Sequence, residues 1–175
     1  MIETCDTRQL NCDVTGEFVA LEGKIGGSIV NRTEAKLVWY IVEAMHRCGH
    51  DLSEIGVISP FRAQVRAIED NPAITEWMNK GLELSTIDKY QGRDKHTIIL
   101  SLVRSNGKGN VGRLLQDLRR LNVAFTRAKC KLIVIGSYRT LSTGSAPLKP
   151  ILNRMDARKQ RVEAPRNALD CYNIL

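Results

Sequence analysis

Three apolar runs limit the folds open to this chain: "EIGVIS" (54–59), "HTIILSLVR" (96–104) and "KLIVIG" (131–136). None of them alternates strictly between apolar and polar residues. A strand with one solvated face alternates; a strand apolar throughout is covered on both faces. A fourth run, "LELSTI" (82–87), reads as another strand. Between these runs the apolar period changes to that of a helix. "NRTEAKLVWYIVEAMHRCGH" puts Leu37, Val38, Ile41, Val42 and Met45 on one face, with Asn31 or Thr33 as cap and Gly49 as stop. "PFRAQVRAIED" groups Phe61, Val65 and Ile68, with Pro60 at the first helical position, and "NPAITEWMNKG" is a shorter helix closed by Gly81. "VGRLLQDLRRLNVAFTRAKC" reads as one helix with Leu114, Leu115, Leu118, Leu121 and Val123 inward. "LKPILNRM" reads as a last helix, and Trp39 and Trp77 read as packing residues. Doubly covered strands alternating with helices predict an α/β domain, a mostly parallel sheet with helices on both faces. The chain has 175 residues, enough for one domain with a real core.

In such sheets ligands bind beyond the carboxyl ends of the strands. Polar breaks at Ser59-Pro60, from Asp88 to Asp94, and after Arg104 fall at strand ends. The stretch "STIDKYQGRDKHTIILSLVR" (85–104) carries the most unusual break. A hairpin would use Asn-Gly or Asp-Gly; this link is longer and bears both charge signs. The formal net charge is +7, which points to a polyanionic partner, most often nucleic acid. From Arg104 to Lys131 the cations are Arg104, Lys108, Arg113, Arg119, Arg120, Arg127, Lys129 and Lys131, against Asp117 alone.

Several classes are disfavoured. The five cysteines are scattered and odd in number, without a C-x-x-C pair, so neither a disulfide framework nor a local zinc site is expected. His46, His50 and His96 lack metal-ligand spacing, and no metal site is expected. No apolar run reaches membrane-spanning length, so no membrane partner is expected. A self-sufficient nucleotide hydrolase would need G-x-x-x-x-G-K-[ST] and an acidic strand end for magnesium. Gly23-Lys24 and Gly107-Lys108 lack both the upstream glycine and the following Ser or Thr. The domain therefore has no P-loop of its own.

"GVISPFRAQ", the 85–104 stretch and "RRLNVAFTRAKCKLIVIG" together resemble motifs IV, V and VI of superfamily-one helicases, in order. "NVAFTRAK" matches that family's N-V-A-x-T-R-A-[KR]. "DKYQGRDK", "LVRSN", "VGRLLQDLRRLNVAFTRAK" and "NRTEAKLV" resemble its eukaryotic DNA replication helicase/nuclease branch, which unwinds 5′ to 3′ and processes Okazaki fragments. The likeness runs from about Gly26 to Gly136. Asp94 stands where most of the wider 5′ to 3′ branch has glutamate, and Leu118 where tryptophan is usual, a change that reads as packing.

The resemblance implies the second RecA-like motor domain, which completes an ATP site built by a first RecA-like domain. Arg127 is then the arginine finger on the γ-phosphate. Gln91, Gly92 and Asp94 form the nucleotide lip, with Asp94 accepting from ribose hydroxyls. Tyr90 is expected to pack. Mg2+ would be held by the first motor domain. The family's iron–sulfur cysteines and nuclease would lie upstream, outside this chain. Single-stranded DNA would cross the other rim, at Ser59, Pro60, Arg62, Thr86, Asp88, Arg104 and Asn106; Arg62 is compatible with either rim. Residues 1–25 read as a partial linker, 26–142 as the motor domain and 143–175 as a partly mobile extension. The expectation is a nuclear, and also a mitochondrial, setting with replication or repair partners, and a chain inactive by itself. The rivals are an RNA helicase of the nonsense-mediated-decay branch, a motorless nucleic-acid-binding adaptor and a truncated gene product.

Overall fold

The computed structural model describes residues 2–3, 22–90, 92–106 and 108–163. Gln91, the cysteines Cys5, Cys12 and Cys171, and the tail from 164 onward lie outside the described residues. The strands are β1 (Ile2–Glu3), β2 (Gly23–Ile25), β3 (Ser28–Val30), β4 (Ile55–Ser59), β5 (Glu83–Thr86), β6 (Lys95–Ser101), β7 (Ala128–Gly136) and β8 (Val162–Glu163). The helices are α1 (Arg32–Arg47), α2 (Arg62–Glu69), α3 (Pro72–Asn79), α4 (Leu118–Phe125), α5 (Tyr138–Gly144) and α6 (Leu148–Ala157). The main sheet has the order β5-β4-β6-β7-β1-β8, and every pairing in it is parallel. β2 and β3 form a separate antiparallel hairpin.

Period-two alternation divides the core in two. Ile55, Val57, Leu84 and Ile99 pack with Val38 and Val42 of α1, Ile68 of α2 and Trp77 of α3. Ile58, Ile98, Leu100 and Val134 turn the other way, to Leu121 and Ala124 of α4, Leu141 of α5 and Leu148 and Leu152 of α6. Helices thus cover both faces of a parallel sheet, the arrangement of a RecA-like domain. This is the predicted α/β class.

Local chemistry explains the element boundaries. Asn31 caps α1 by accepting from the Glu34 N–H, and Gly49 beyond its end takes φ +83°. Asn71 caps α3, whose first residue is Pro72. Two expectations fail. Pro60 does not open α2: Phe61 occupies the cap position and the helix starts at Arg62. The segment read as one helix from 111 is divided. A 3-10 turn spans Leu114–Gln116, and Asp117 then caps α4 afresh through the Arg119 and Arg120 N–H groups. The new start resets the helical phase. Leu115, Leu121 and Ala124 are buried, Leu114 and Val123 are half-buried, and Leu118 is 53% exposed. Leu118 is therefore not a packing substitution.

The 85–104 stretch behaves unlike a hairpin. β5 and β6 both run parallel to β4, which lies between them. The chain leaves the carboxyl end of β5 at Thr86 and must return to the amino end of β6 at Lys95. It does so without a full helix. A 3-10 turn at Ile87–Lys89 leads to Tyr90, and both Ile87 and Tyr90 lie in the core under α4. Tyr90 reaches the sheet because β4 carries a glycine below it. A Cβ on Gly56 would meet the Tyr90 hydroxyl at 1.9 Å.

Candidate functional site

Because the strands are parallel, the candidate residues sort onto two ends of the sheet. β6 has seven residues, which separates the ends by roughly 20 Å. The Arg93-Asp94 break lies at the amino end, not the carboxyl end, since the chain has already returned there. Lys95 bonds Glu83 at 3.0 Å, and its N–H donates to the Arg127 carbonyl at 3.0 Å.

Arg127 follows α4 and precedes β7. Its Nε donates to the Val123 carbonyl at 3.1 Å and its Nη2 to Thr126 Oγ1 at 3.2 Å. Its Nη1 pairs with Asp94 Oδ1 at 2.8 Å. The Thr126 hydroxyl in turn donates to the Asn122 carbonyl at 2.7 Å. The last turn of α4 thus grips one side of the guanidinium, and Asp94 meets it from β6. Arg127 is 21% exposed and Asp94 50%, so the pair is reachable from solvent. An ion pair this exposed contributes about 0–1 kcal/mol and can be exchanged for another anion. Gly92, at φ +78°, turns the backbone just before it. The structure therefore brings Gly92, Asp94 and Arg127 to one rim.

The other candidates lie at or beyond the carboxyl ends. Ser59 ends β4, is fully buried, and accepts from the Phe61 N–H at 3.3 Å. Pro60 is half-buried, and Arg62 is exposed in the first turn of α2. That position puts Arg62 on the carboxyl rim, away from Arg127. Thr86 is half-buried at the end of β5, and Asp88 pairs with Arg120 at 3.1 Å. Arg104 is almost wholly buried and pairs with Glu22 at 2.8 Å. Asn106 folds its own loop: its Oδ1 accepts from the N–H groups of Lys108 (3.2 Å) and Asn110 (2.9 Å), and its Nδ2 donates to the Asn110 carbonyl (2.7 Å).

Sequence reasoning missed the network behind this rim. Glu34 is buried, and its Oε2 accepts from Ser101 Oγ (2.7 Å) and the Val103 N–H (2.9 Å). Asn31 Nδ2 reaches Oε1 at 3.3 Å. Gln64 Nε2 joins in, donating to Ser101 Oγ at 3.1 Å and to the Asn31 carbonyl at 2.9 Å. Burial raises the Glu34 carboxyl from its ordinary value to about 7, against the lowering effect of the Ser101 and Val103 bonds. Val103 has φ +69°, and the Arg104 N–H closes a γ-turn onto the Leu102 carbonyl at 2.7 Å. A β-branched residue there is strained and persists only when its surroundings hold it. The Glu34 carboxylate holds it through the Val103 N–H. The available signal was a glutamate in the first turn of the helix in "NRTEAKLV", three residues after the capping Asn31 and on the same side as Leu37 and Val38.

Comparison with known proteins agrees with this architecture. Residues 3–139 match the family model described as AAA domain. The DNA replication ATP-dependent helicase/nuclease DNA2 of Homo sapiens is 44% identical over 139 residues, covering 79% of this chain and 13% of that protein. Its namesake in Saccharomyces cerevisiae is 42% identical over 148 residues, covering 84% of this chain and 10% of the relative. The DNA replication ATP-dependent helicase/nuclease JHS1 of Arabidopsis thaliana is 44% identical over 125 residues, covering 70% of this chain and 9% of the relative. The chain thus spans only about a tenth of the length of these relatives. It resembles the helicase domain of the DNA2 proteins, and by its match over most of its length it belongs to the AAA domain family.

Proposed function

We propose that this chain is the second motor domain of an ATP-dependent 5′ to 3′ DNA helicase of the replication helicase/nuclease type. The observation that carries the reading is the mounting of Arg127: a planar guanidinium held by Val123, Thr126 and Asp94 at one open rim. Such a fork suits the charge that develops on a transferred γ-phosphoryl group, and lysine offers no equivalent geometry. Asp94 supplies acceptors for ribose hydroxyls, and Gly92 lets the backbone approach. These residues fit one side of a nucleotide. No P-loop sequence is present to cradle the phosphates. That cradle and the Mg2+ are therefore assigned to the first motor domain, and the chain by itself neither hydrolyses ATP nor cuts DNA.

Single-stranded DNA is assigned to the carboxyl rim, where Arg62, Thr86 and the Arg104–Asn106 loop face the strand, while Ser59 and Pro60 shape the rim beneath it. Backbone and phosphate contacts of this kind grip without reading sequence. The names of the relatives specify DNA, which favours DNA over RNA as the track. A nuclear setting, a nuclease and an iron–sulfur cluster belong to the proposed parent protein.

The test is Arg127→Ala and Arg127→Lys in a protein carrying both motor domains. ATP turnover should fall by about 10³-fold or more with DNA affinity retained. Turnover within tenfold of wild type in both variants would remove Arg127 from the finger role.

A further inference from the structure

Glu22 lies directly before the β2–β3 hairpin, and one of its oxygens is unusually well served. Oε2 accepts from Arg104 Nε at 2.8 Å, from the Ser105 N–H at 3.0 Å and from Asn106 Nδ2 at 3.0 Å. Donors from consecutive residues converge on a single anionic oxygen.

The donors owe their positions to other contacts. The γ-turn at Val103, held by Glu34, directs the chain into Arg104. The Asn106 side chain is locked by Lys108 and Asn110, and its backbone is bracketed by Thr140, whose Oγ1 accepts from its N–H at 3.1 Å and donates to its carbonyl at 3.0 Å. Glu22 is the less constrained partner. Gly23, Lys24 and Ile25, which follow it, are all exposed, and the hairpin turns on Gly26-Gly27. Its one described backbone tie to this loop is its N–H to the Ser105 carbonyl, at 3.3 Å.

A guanidinium N–H, a backbone N–H and a side-chain amide recognise a carboxylate oxygen and a phosphate oxygen alike. A cation buried as deeply as Arg104 needs an anion beside it, because losing one member of a buried pair is strongly unfavourable. The site therefore exchanges occupants more readily than it empties. We infer that Glu22 stands in for a phosphate in an oxyanion site made by Arg104, Ser105 and Asn106, and that a phosphodiester of single-stranded nucleic acid displaces it. The inference rests on the assignment of nucleic acid to the carboxyl rim and adds a built-in competitor to it. Release of Glu22 also removes this loop's hold on the exposed strand β2, while β3 stays anchored by Val30 in the core.

The experiment is fluorescence anisotropy of labelled oligothymidylate with the whole chain, comparing Glu22→Gln with Glu69→Gln and Arg62→Ala. Glu69 is exposed at the end of α2, so its variant changes net charge equally without touching the site. Glu22→Gln should bind about fivefold tighter or more, beyond the change in Glu69→Gln, as expected when an intramolecular competitor is removed. Equal affinities for the two Gln variants, with Arg62→Ala weakened, would overturn the competition and leave nucleic-acid binding standing. Absence of binding by every variant would overturn both. Hydrogen exchange of the unmodified chain covers the case in which Glu22→Gln does not fold. Saturating oligothymidylate should speed exchange in residues 23–25, and unchanged exchange there would also overturn the competition.

Discussion

Glu34 spends its carboxylate on neutral donors: a serine hydroxyl, a valine N–H and an asparagine amide. A buried carboxylate without a cation in that set holds its proton more tightly than the unfolded chain does. The folded value is about 7 and the ordinary one 4.5. Between those values the native state binds more protons than the unfolded state, so stability falls as pH rises through the window and levels off above about 7. The contribution amounts to something on the order of 3 kcal/mol. Glutamine has the same shape and does not titrate, and its amide oxygen at the Oε2 position accepts from both the Val103 N–H and the Ser101 hydroxyl. Urea unfolding of the native chain and Glu34→Gln at pH 5, 6, 7 and 8 isolates the effect, since the other carboxylates are common to both. The native chain should lose stability relative to Glu34→Gln across that range. A constant difference would mean that Glu34 titrates in the folded state as an ordinary carboxyl.

At the scale of elements, α4 shows what a sequence does and does not carry. Its heptad-like leucines predicted one long inward face, including Leu118. The cap at Asp117 shortens the helix and shifts the phase, leaving Leu118 exposed and Leu121 buried. The two leucines are three residues apart and chemically identical, so alanine substitutions separate the two readings. Leu121→Ala should cost about 2–5 kcal/mol, and Leu118→Ala less than about 0.5 kcal/mol. Thermal melts of both variants check this; similar losses would mean one continuous face. The four central strands and α1, α2, α3 and α6 were legible, because apolar period, caps and glycine stops are local signals; the short strands β1, β2, β3 and β8 and the helix α5 were not read from the sequence. Arg127 and Asp94 were legible through motif wording. The rim on which each residue stands was not, because it depends on β4 pairing between β5 and β6. The Glu22–Arg104 contact joins residues 82 apart, and no local pattern announces it.

Across the whole molecule, the parallel sheet keeps the two candidate functions apart. Gly92, Asp94 and Arg127 stand at the amino rim, and Arg62, Thr86 and Arg104 at the carboxyl rim. The net charge of +7 by itself would allow DNA to lie anywhere on a basic surface. Salt dependence distinguishes the rims. Each phosphate neutralised by a cation releases counterions, and the slope of log affinity against log salt measures how many are engaged. If the strand lies on the carboxyl rim, Arg62→Ala should reduce that slope by about one. Arg127→Ala removes the same charge from the chain about 20 Å away and should leave the slope unchanged, because a 0.1 M salt solution screens over about 10 Å. Titrating oligothymidylate between 50 and 300 mM salt gives both slopes in one series. A slope that falls with Arg127→Ala and not with Arg62→Ala would move the strand to the amino rim, and the nucleotide assignment of that rim would have to move with it.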